Sequence, residues 1–402
     1  MKFSGVSTLQ GWKAWQTFRK LSWEWRNLVV YSESGQDWHQ FSGLIEILNE
    51  DLGRKVCYLT SDAGDPAFSR IHRHFRVIYL PEGLFLTLFF QFNQSDVLVL
   101  TMMDLNNLQL KRSVYPVHYV YLFHSLGSTH MVDHANSFDH YDSLFCAGPH
   151  QVAEIRRREA LMALPAKNLF DYGHPRLEHV MRENARHAGR LPAATATRPG
   201  ASKVILLAPT WGSTSIFNLC GTELIGILLK AGFQVVMRPH YQSIRLHPGL
   251  IGEIRKRYQG NPRFEYVDRM AETESILRSD LLITDWSAMA VEYSLGLEKP
   301  VLFIDVPRRI RNPDWQELGL EPIESSIREK VGAIASPERL EEVPAMISKL
   351  LADTGGFARH MRQLREQMVF RLGHSLPDGA AEIARLADHQ RSQRLRQGES
   401  RD

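Results

Sequence analysis

The run Leu281-Leu282-Ile283-Thr284-Asp285-Trp286-Ser287-Ala288-Met289-Ala290-Val291-Glu292 constrains the fold more than any other stretch. It reads as a buried apolar strand that breaks into a short polar turn and opens at once into a helix. A turn of this kind leaves backbone N–H groups and two hydroxyls, those of Thr284 and Ser287, at a helix N-terminus. That arrangement is a seat for phosphate. The next apolar run, Lys299 to Ile304, reads as a second buried strand. A phosphate seat between parallel strands points to an enzyme that uses a nucleotide.

Strand-like runs recur along the chain. The first half holds Leu28–Ser32, Lys55–Thr60, Phe75–Leu80, Asp96–Leu100, Val117–Phe123 and Ser143–Ala147. The second half holds Val204–Ala208, Gln234–Met237, Phe264–Val267, Leu281–Thr284 and Val301–Ile304. Helical patterns lie between them, such as Trp38–Leu52, His150–Ala163, Glu223–Ala231 and Glu272–Arg278. Strands alternating with helices imply parallel βαβ units. The Ala/Thr/Pro/Gly stretch Leu191–Gly200 has no hydrophobic period and reads as a linker. The expected architecture is α/β: two doubly wound, Rossmann-like domains facing a cleft. The expected boundaries are 1–190, 200–372 and a last helix with a polar tail at 373–402. The tail from His389 is expected to be disordered, because it is polar and rich in arginine.

Composition excludes several classes. Charged residues make up 23% and the formal net charge is only +3, which does not suggest a nucleic-acid binder. Cys57, Cys146 and Cys220 are scattered, fit a reducing cytosol and offer no zinc motif. His130 and His134 share a helical spacing but lack a third convincing ligand, so no metal site is expected. No apolar run reaches the roughly 20 residues that a spanning helix needs. Residues 1–27 interleave Trp12, Trp15, Trp23 and Trp25 with Lys13, Arg19, Lys20 and Arg26. These aromatics either pack on the first domain, the favoured reading, or lie in a membrane interface. The expected location is cytoplasmic; on the second reading of residues 1–27 the chain would also be peripheral on the inner face of the membrane.

Candidate site residues sit where strands end, the usual place for ligands in such sheets. Gln234–Met237 runs into Arg238-Pro239-His240, an arginine fork and an imidazole beside a rigid proline. Val204–Ala208 runs into Pro209-Thr210-Trp211-Gly212-Ser213, a hydroxyl-rich loop with a central glycine. Val117–Phe123 runs into His124-Ser125-Leu126-Gly127, where a histidine would serve as a general base. Gly173-His174-Pro175-Arg176 places Arg176 near the domain junction, either on donor phosphates or fixing the turn. The turn Ser32-Glu33-Ser34-Gly35 is a weak candidate for an acceptor contact.

Together these pieces resemble the CDP-glycerol glycerophosphotransferase family, the teichoic-acid primases and polymerases. The resemblance rests on Ala208-Pro209-Thr210-Trp211, Arg238-Pro239-His240, Leu282 to Ser287 with Glu292, and Lys299-Pro300-Val301. Gly173, Pro175, Arg176 and Glu178 resemble the family's G-x-P-R-x-D element, with Glu for Asp. Trp286 and Ala288 stand where the family has the Tyr and second Ser of TDYSS. His124 is followed by Ser-Leu-Gly rather than the family's HGT-like turn.

The resemblance implies a GT-B type fold and no cofactor or catalytic metal. It implies transfer of glycerol phosphate, or a related alditol phosphate, from a CDP-alditol to a hydroxyl of a glycan or lipid-linked acceptor, with release of CMP. His124 and His240 would be catalytic. Arg238, Thr210, Trp211, Gly212, Ser213, Thr284, Asp285, Ser287, Ala288, Glu292 and Arg176 would bind the donor. Two alternatives stand beside this reading: a nucleotide-sugar glycosyltransferase of the same fold acting on a surface polysaccharide, and a non-catalytic nucleotide-binding scaffold.

Overall fold

The computed structural model describes residues 5–107, 110–190, 202–268, 273–308 and 310–398. The chain divides into two compact units: residues 1–125, 133–176 and 369–402 form the first, and residues 126–132 and 177–368 the second. The division therefore falls after Arg176, ahead of the Ala/Thr/Pro/Gly stretch at 191–200, which lies outside the described residues. The last segment returns to the first unit rather than standing apart.

The first unit carries seven parallel strands: β1 Leu28–Ser32, β2 Val56–Thr60, β3 Phe75–Tyr79, β4 Val97–Leu100, β5 His118–Leu122, β6 Ser143–Cys146 and β7 Asn168–Asp171. Their order is β3-β2-β1-β4-β5-β6-β7. The second unit carries β8 Val204–Leu207, β9 Gln234–Met237, β10 Phe264–Tyr266, β11 Leu281–Thr284, β12 Val301–Ile304 and β13 Gly332–Ala335, ordered β10-β9-β8-β11-β12-β13. Both sheets reverse direction beside their first strand, at β1/β4 and at β8/β11. Such switch points open a crevice at the carboxyl ends of the strands, where doubly wound sheets bind ligands.

The central strands are almost wholly buried, as both faces of a parallel sheet require, while the outermost strands β3, β7, β10 and β13 are partly exposed. In the first unit one face packs Val29, Tyr31, Leu98 and Tyr121 with Phe18, Phe89 and Phe90. The other packs Leu28, Val30 and Val99 with Leu44, Leu48, Ile383 and Ala387. In the second, Ile205, Leu207, Ile283 and Leu302 pack with Ile225, Leu228 and Ile347.

Two expectations need correction. The tail from His389 is not disordered up to Arg396: Ser375–Arg396 is one continuous helix. Arg394 is buried, pairs with Asp96 at 2.7 Å and donates to the carbonyls of Gln94, Ser95 and Pro116. Strand β13 was also missed, because Gly332-Ala333-Ile334-Ala335 is short and made mostly of small residues with little strand preference. Its glycine is required by packing, since a Cβ there would stand 1.6 Å from the Val301 carbonyl oxygen.

The N-terminal helix α1, Gly5–Arg19, places Ala14 and Phe18 in the core, followed by Leu21 and Trp25. Packing thus accounts for part of the aromatic segment, while Leu9 and Trp12 remain 55% and 48% exposed. No described helix is long and apolar enough to cross a membrane.

Candidate active site

The second unit gathers most of the expected residues at one edge. Thr210 to Ser213 follow β8, Arg238 to His240 follow β9, and Asp285 to Ala288 follow β11. These strands are neighbours at the switch point. Glu292 lies on the next helix, α2, Met289–Leu297. His124 and Arg176 belong to the first unit.

Within this edge the roles differ from those expected for two residues. Thr284 is fully buried, and its hydroxyl donates to the Ala208 carbonyl at 2.8 Å. It ties β11 to β8 instead of presenting a hydroxyl to phosphate. Asp285 is also fully buried. Its carboxylate accepts from the Thr210 amide at 2.7 Å and the Ile216 amide at 3.3 Å. Burial pushes this carboxyl above its usual range, opposed by hydrogen bonds from Thr210, Ile216 and Trp286. Asp285 thus fixes the loop after β8, and an acid so enclosed would repel phosphate if it faced it. The loop also closes on itself: Ser215 N and Asn218 Nδ2 both donate to the Gly212 carbonyl, at 3.1 and 2.8 Å. Gly212 adopts φ +112°, a conformation that suits glycine.

The remaining side chains form a basic and aromatic rim. The His240 and Trp211 rings stack with centroids 6.2 Å apart and 28° between planes. His240 Nδ1 accepts from the Gln242 amide at 3.1 Å. In the neutral ring the proton therefore sits on Nε2, which makes His240 a donor suited to a phosphate oxygen. Arg238 is buried, 4% exposed. Ser287 Oγ accepts from the Met289 amide at 3.3 Å. The amides of Ser287 and Ala288 have no hydrogen-bond partner among the described residues, so they are the open donors at the start of α2.

Lys299 explains the Lys-Pro motif. Its Nζ donates to the carbonyls of Leu277 and Ser279 at 2.6 and 2.7 Å. Burial pulls its pKa down to about 8. Gly173 is equally structural: at φ +89° a Cβ would stand 2.3 Å from the Phe370 carbonyl oxygen. The Gly-x-Pro-Arg turn therefore seats the returning C-terminal segment. Among the described residues no group of three or more His, Cys, Asp or Glu is placed to hold a metal ion.

The motifs and their placement can now be set beside known proteins. Residues 127–307 match the family model described as CDP-glycerol:poly(glycerophosphate) glycerophosphotransferase. The family resemblance therefore holds over residues 127–307. His124 lies just before that segment. The wall teichoic acid polymerase TagF is similar in structure, with a TM-score of 0.60 at 15% identity, covering 96% of this chain and 98% of that one. The UDP-GlcNAc 2-epimerase from Neisseria meningitidis gives 0.55 at 11% identity, covering 89% and 99%. A glycosyltransferase from Rickettsia africae gives 0.51 at 10%, covering 89% and 98%. At these identities the likeness establishes the fold, the expected α/β class of GT-B type. No curated protein matches the chain.

Sequence reasoning missed two arginines beside this rim. Arg308 follows β12, and its Cζ lies 4.9 Å from the Trp286 ring centroid. Arg328 lies 4.1 Å from the same ring. The strand-end rule that found Arg238 also reaches Arg308. Arg328 sits in a four-residue helix with no such signal.

Proposed function

We propose that this chain transfers glycerol phosphate, or a related alditol phosphate, from a CDP-alditol to a hydroxyl of a cell-envelope glycan or lipid-linked acceptor. The observation that carries this is the match over residues 127–307, whose motif residues meet at one switch-point edge. The acceptor oxygen attacks the phosphorus that carries the alditol. The bond from that phosphorus to the bridging oxygen breaks, and CMP leaves with the electron pair. Catalysis of such a step is mainly positioning and charge neutralisation. His124 takes the proton from the hydroxyl. Arg238 and His240 Nε2 stabilise the diphosphate and the departing CMP. Ser287 and the amides of Ser287 and Ala288 hold phosphate oxygens, and Trp211 lines the same rim. Glu292 and Arg176 are further donor contacts.

An acceptor linked to lipid requires contact with the bilayer. Leu9 and Trp12, exposed beside Lys13, Arg19 and Lys20, supply an apolar and basic face for it.

The test is a product assay on purified protein with CDP-glycerol, CDP-ribitol and nucleotide sugars, each with and without EDTA. EDTA-resistant CMP release from a CDP-alditol supports the proposal. Nucleoside diphosphate released from a sugar donor would instead make the chain a glycosyltransferase. Binding of a nucleotide with no turnover on any acceptor would make it a scaffold.

A further inference from the structure

Leu126–Val132 continues the loop after β5 but belongs to the second unit. Leu126 to Met131 are all buried, and none of them lies in a helix or strand. A buried irregular segment must find partners for its backbone polar groups elsewhere. Here they come from the stretch that runs from Arg311 to Glu324. The Arg311 amide donates to the Met131 carbonyl at 3.1 Å, and Asn312 Nδ2 to the His130 carbonyl at 2.8 Å. His130 Nε2 donates to the Leu320 carbonyl at 3.1 Å. Glu324 grips the start of the segment: Oε1 accepts from the Ser128 amide at 3.0 Å, and Oε2 from the Ser128 hydroxyl at 2.7 Å.

Glu324 is 6% exposed, on the short helix Ile323–Ser326. Taking a carboxylate out of water is costly, and hydrogen bonds to it offset that cost. Two charge-assisted bonds to one residue fix both its position and its rotation. The other side of the crossing is held within the first unit. There Gln151, fully buried, donates from Nε2 to the Ser125 carbonyl at 2.9 Å, and its Oε1 accepts from the Ala147 amide at 2.7 Å. Only Leu126 and Gly127 separate the two gripped residues, and His124 directly precedes Ser125. The chain beside His124 is thus held by a buried amide on one side of the crossing and a buried carboxylate on the other.

We propose that Glu324 is a positioning residue for the transfer. By gripping Ser128 it fixes the backbone that carries His124, and with it the angle at which the imidazole meets the acceptor hydroxyl. It touches no reacting atom and moves no proton. Its effect comes through His124, because a displacement of about 1 Å at a catalytic group can cost on the order of a hundredfold in rate. The inference rests on the functional reading above in naming His124 as the base; the grip on Ser128 does not.

The experiment joins hydrogen exchange of the full chain, read by mass spectrometry, with steady-state CMP release from CDP-glycerol and CDP-ribitol. Glu324→Gln keeps the shape of the side chain, but its amide nitrogen cannot accept from Ser128. Exchange should quicken in residues 125–132 and stay at the native rate in β5. The kcat should fall about tenfold or more with the donor KM unchanged, and Glu324→Asp should recover part of the loss. Ser128→Ala removes only the hydroxyl bond and should act in the same direction but less, which keeps the test open if Glu324→Gln does not fold. Added to His124→Ala, Glu324→Gln should cost little more, because it acts through the missing imidazole. Native exchange in both Glu324→Gln and Ser128→Ala would overturn the grip. The same fold-loss of kcat with and without His124 would overturn the positioning role and leave a structural one. No CMP release by native protein with any acceptor would reject the transfer, and with it a base to be positioned, while the exchange rates would still show whether Glu324 holds the loop.

Discussion

The two sheets repeat one topology and pin their central loops by the same device, yet their mouths carry opposite charge. After β1, the Gly35 amide donates to Asp62, which follows the neighbouring strand β2, at 2.9 Å. After β8, the Thr210 amide donates to Asp285, which follows the neighbouring strand β11, at 2.7 Å. The surroundings then diverge. The first mouth gathers Glu33, Asp37 and Glu82, where Asp37 and Glu82 add to the burial that raises the Glu33 pKa. The second sets Arg238 and His240 after β9, in a unit whose pinning acid, Asp285, is sealed away from solvent. Topology thus supplies two crevices, and side-chain charge decides what each admits. The basic crevice suits a diphosphate.

The largest effects should separate the two histidines. His124→Ala should lower kcat by roughly a hundredfold to ten-thousandfold, the range for losing a general base, with KM for the donor little changed. His240→Ala should raise the donor KM as well as lower kcat, because it removes a phosphate donor from the second mouth. Steady-state kinetics with a CDP-alditol decides the matter. Normal turnover in both variants would remove both residues from the mechanism.

The paired aspartates give a smaller contrast, in stability. Asp285→Ala leaves the Thr210 and Ile216 amides without their acceptor inside the protein. It should cost about 2–4 kcal/mol. Asp62→Ala releases amides that water can reach, and should cost about 1 kcal/mol or less. Urea unfolding of both variants measures this. Similar losses would mean that the two loops are held alike and that only their charges differ.

The sequence made part of this visible. The strand-turn-helix at Leu281–Glu292 and the stop at Arg238-Pro239-His240 are legible because a buried parallel strand is apolar throughout and ends abruptly. The direction of a strand-end side chain is not legible. Thr284 and Asp285 have the same residue types whether they face a ligand or tie two strands, and burial alone tells these apart. Long-range partners are hidden in the same way. Nothing local marks Arg394 as the buried partner of Asp96, so a helix anchored at that arginine looks like a polar tail. Nor does spacing show that Leu126–Val132 belongs to the second unit, where Ser128 donates to Glu324 from both its amide and its hydroxyl, at 3.0 and 2.7 Å.

The smallest effect tests the acidic mouth by pH. Glu33 is raised to about 7, first by burial and then by Asp37 and Glu82. Asp37 is raised to about 6 by burial, with Asp65 adding to this and hydrogen bonds from Ser32 and Ser34 opposing it. Both values lie above those of an unfolded chain, so between about pH 4 and 7 the native protein binds more protons than the unfolded one. Stability should therefore fall as pH rises through that window. Glu33→Gln removes one of the charges that native structure disfavours. It should melt like native protein at pH 4 and above it at pH 8. Glu33 is enclosed by its acidic neighbours on one side but keeps contact with solvent on the other, and the screening this allows limits the gain to about 1 kcal/mol or less. A gain of equal size at both pH values would trace to packing or helix propensity instead, and the charge contrast between the two mouths would lose its support on the first side.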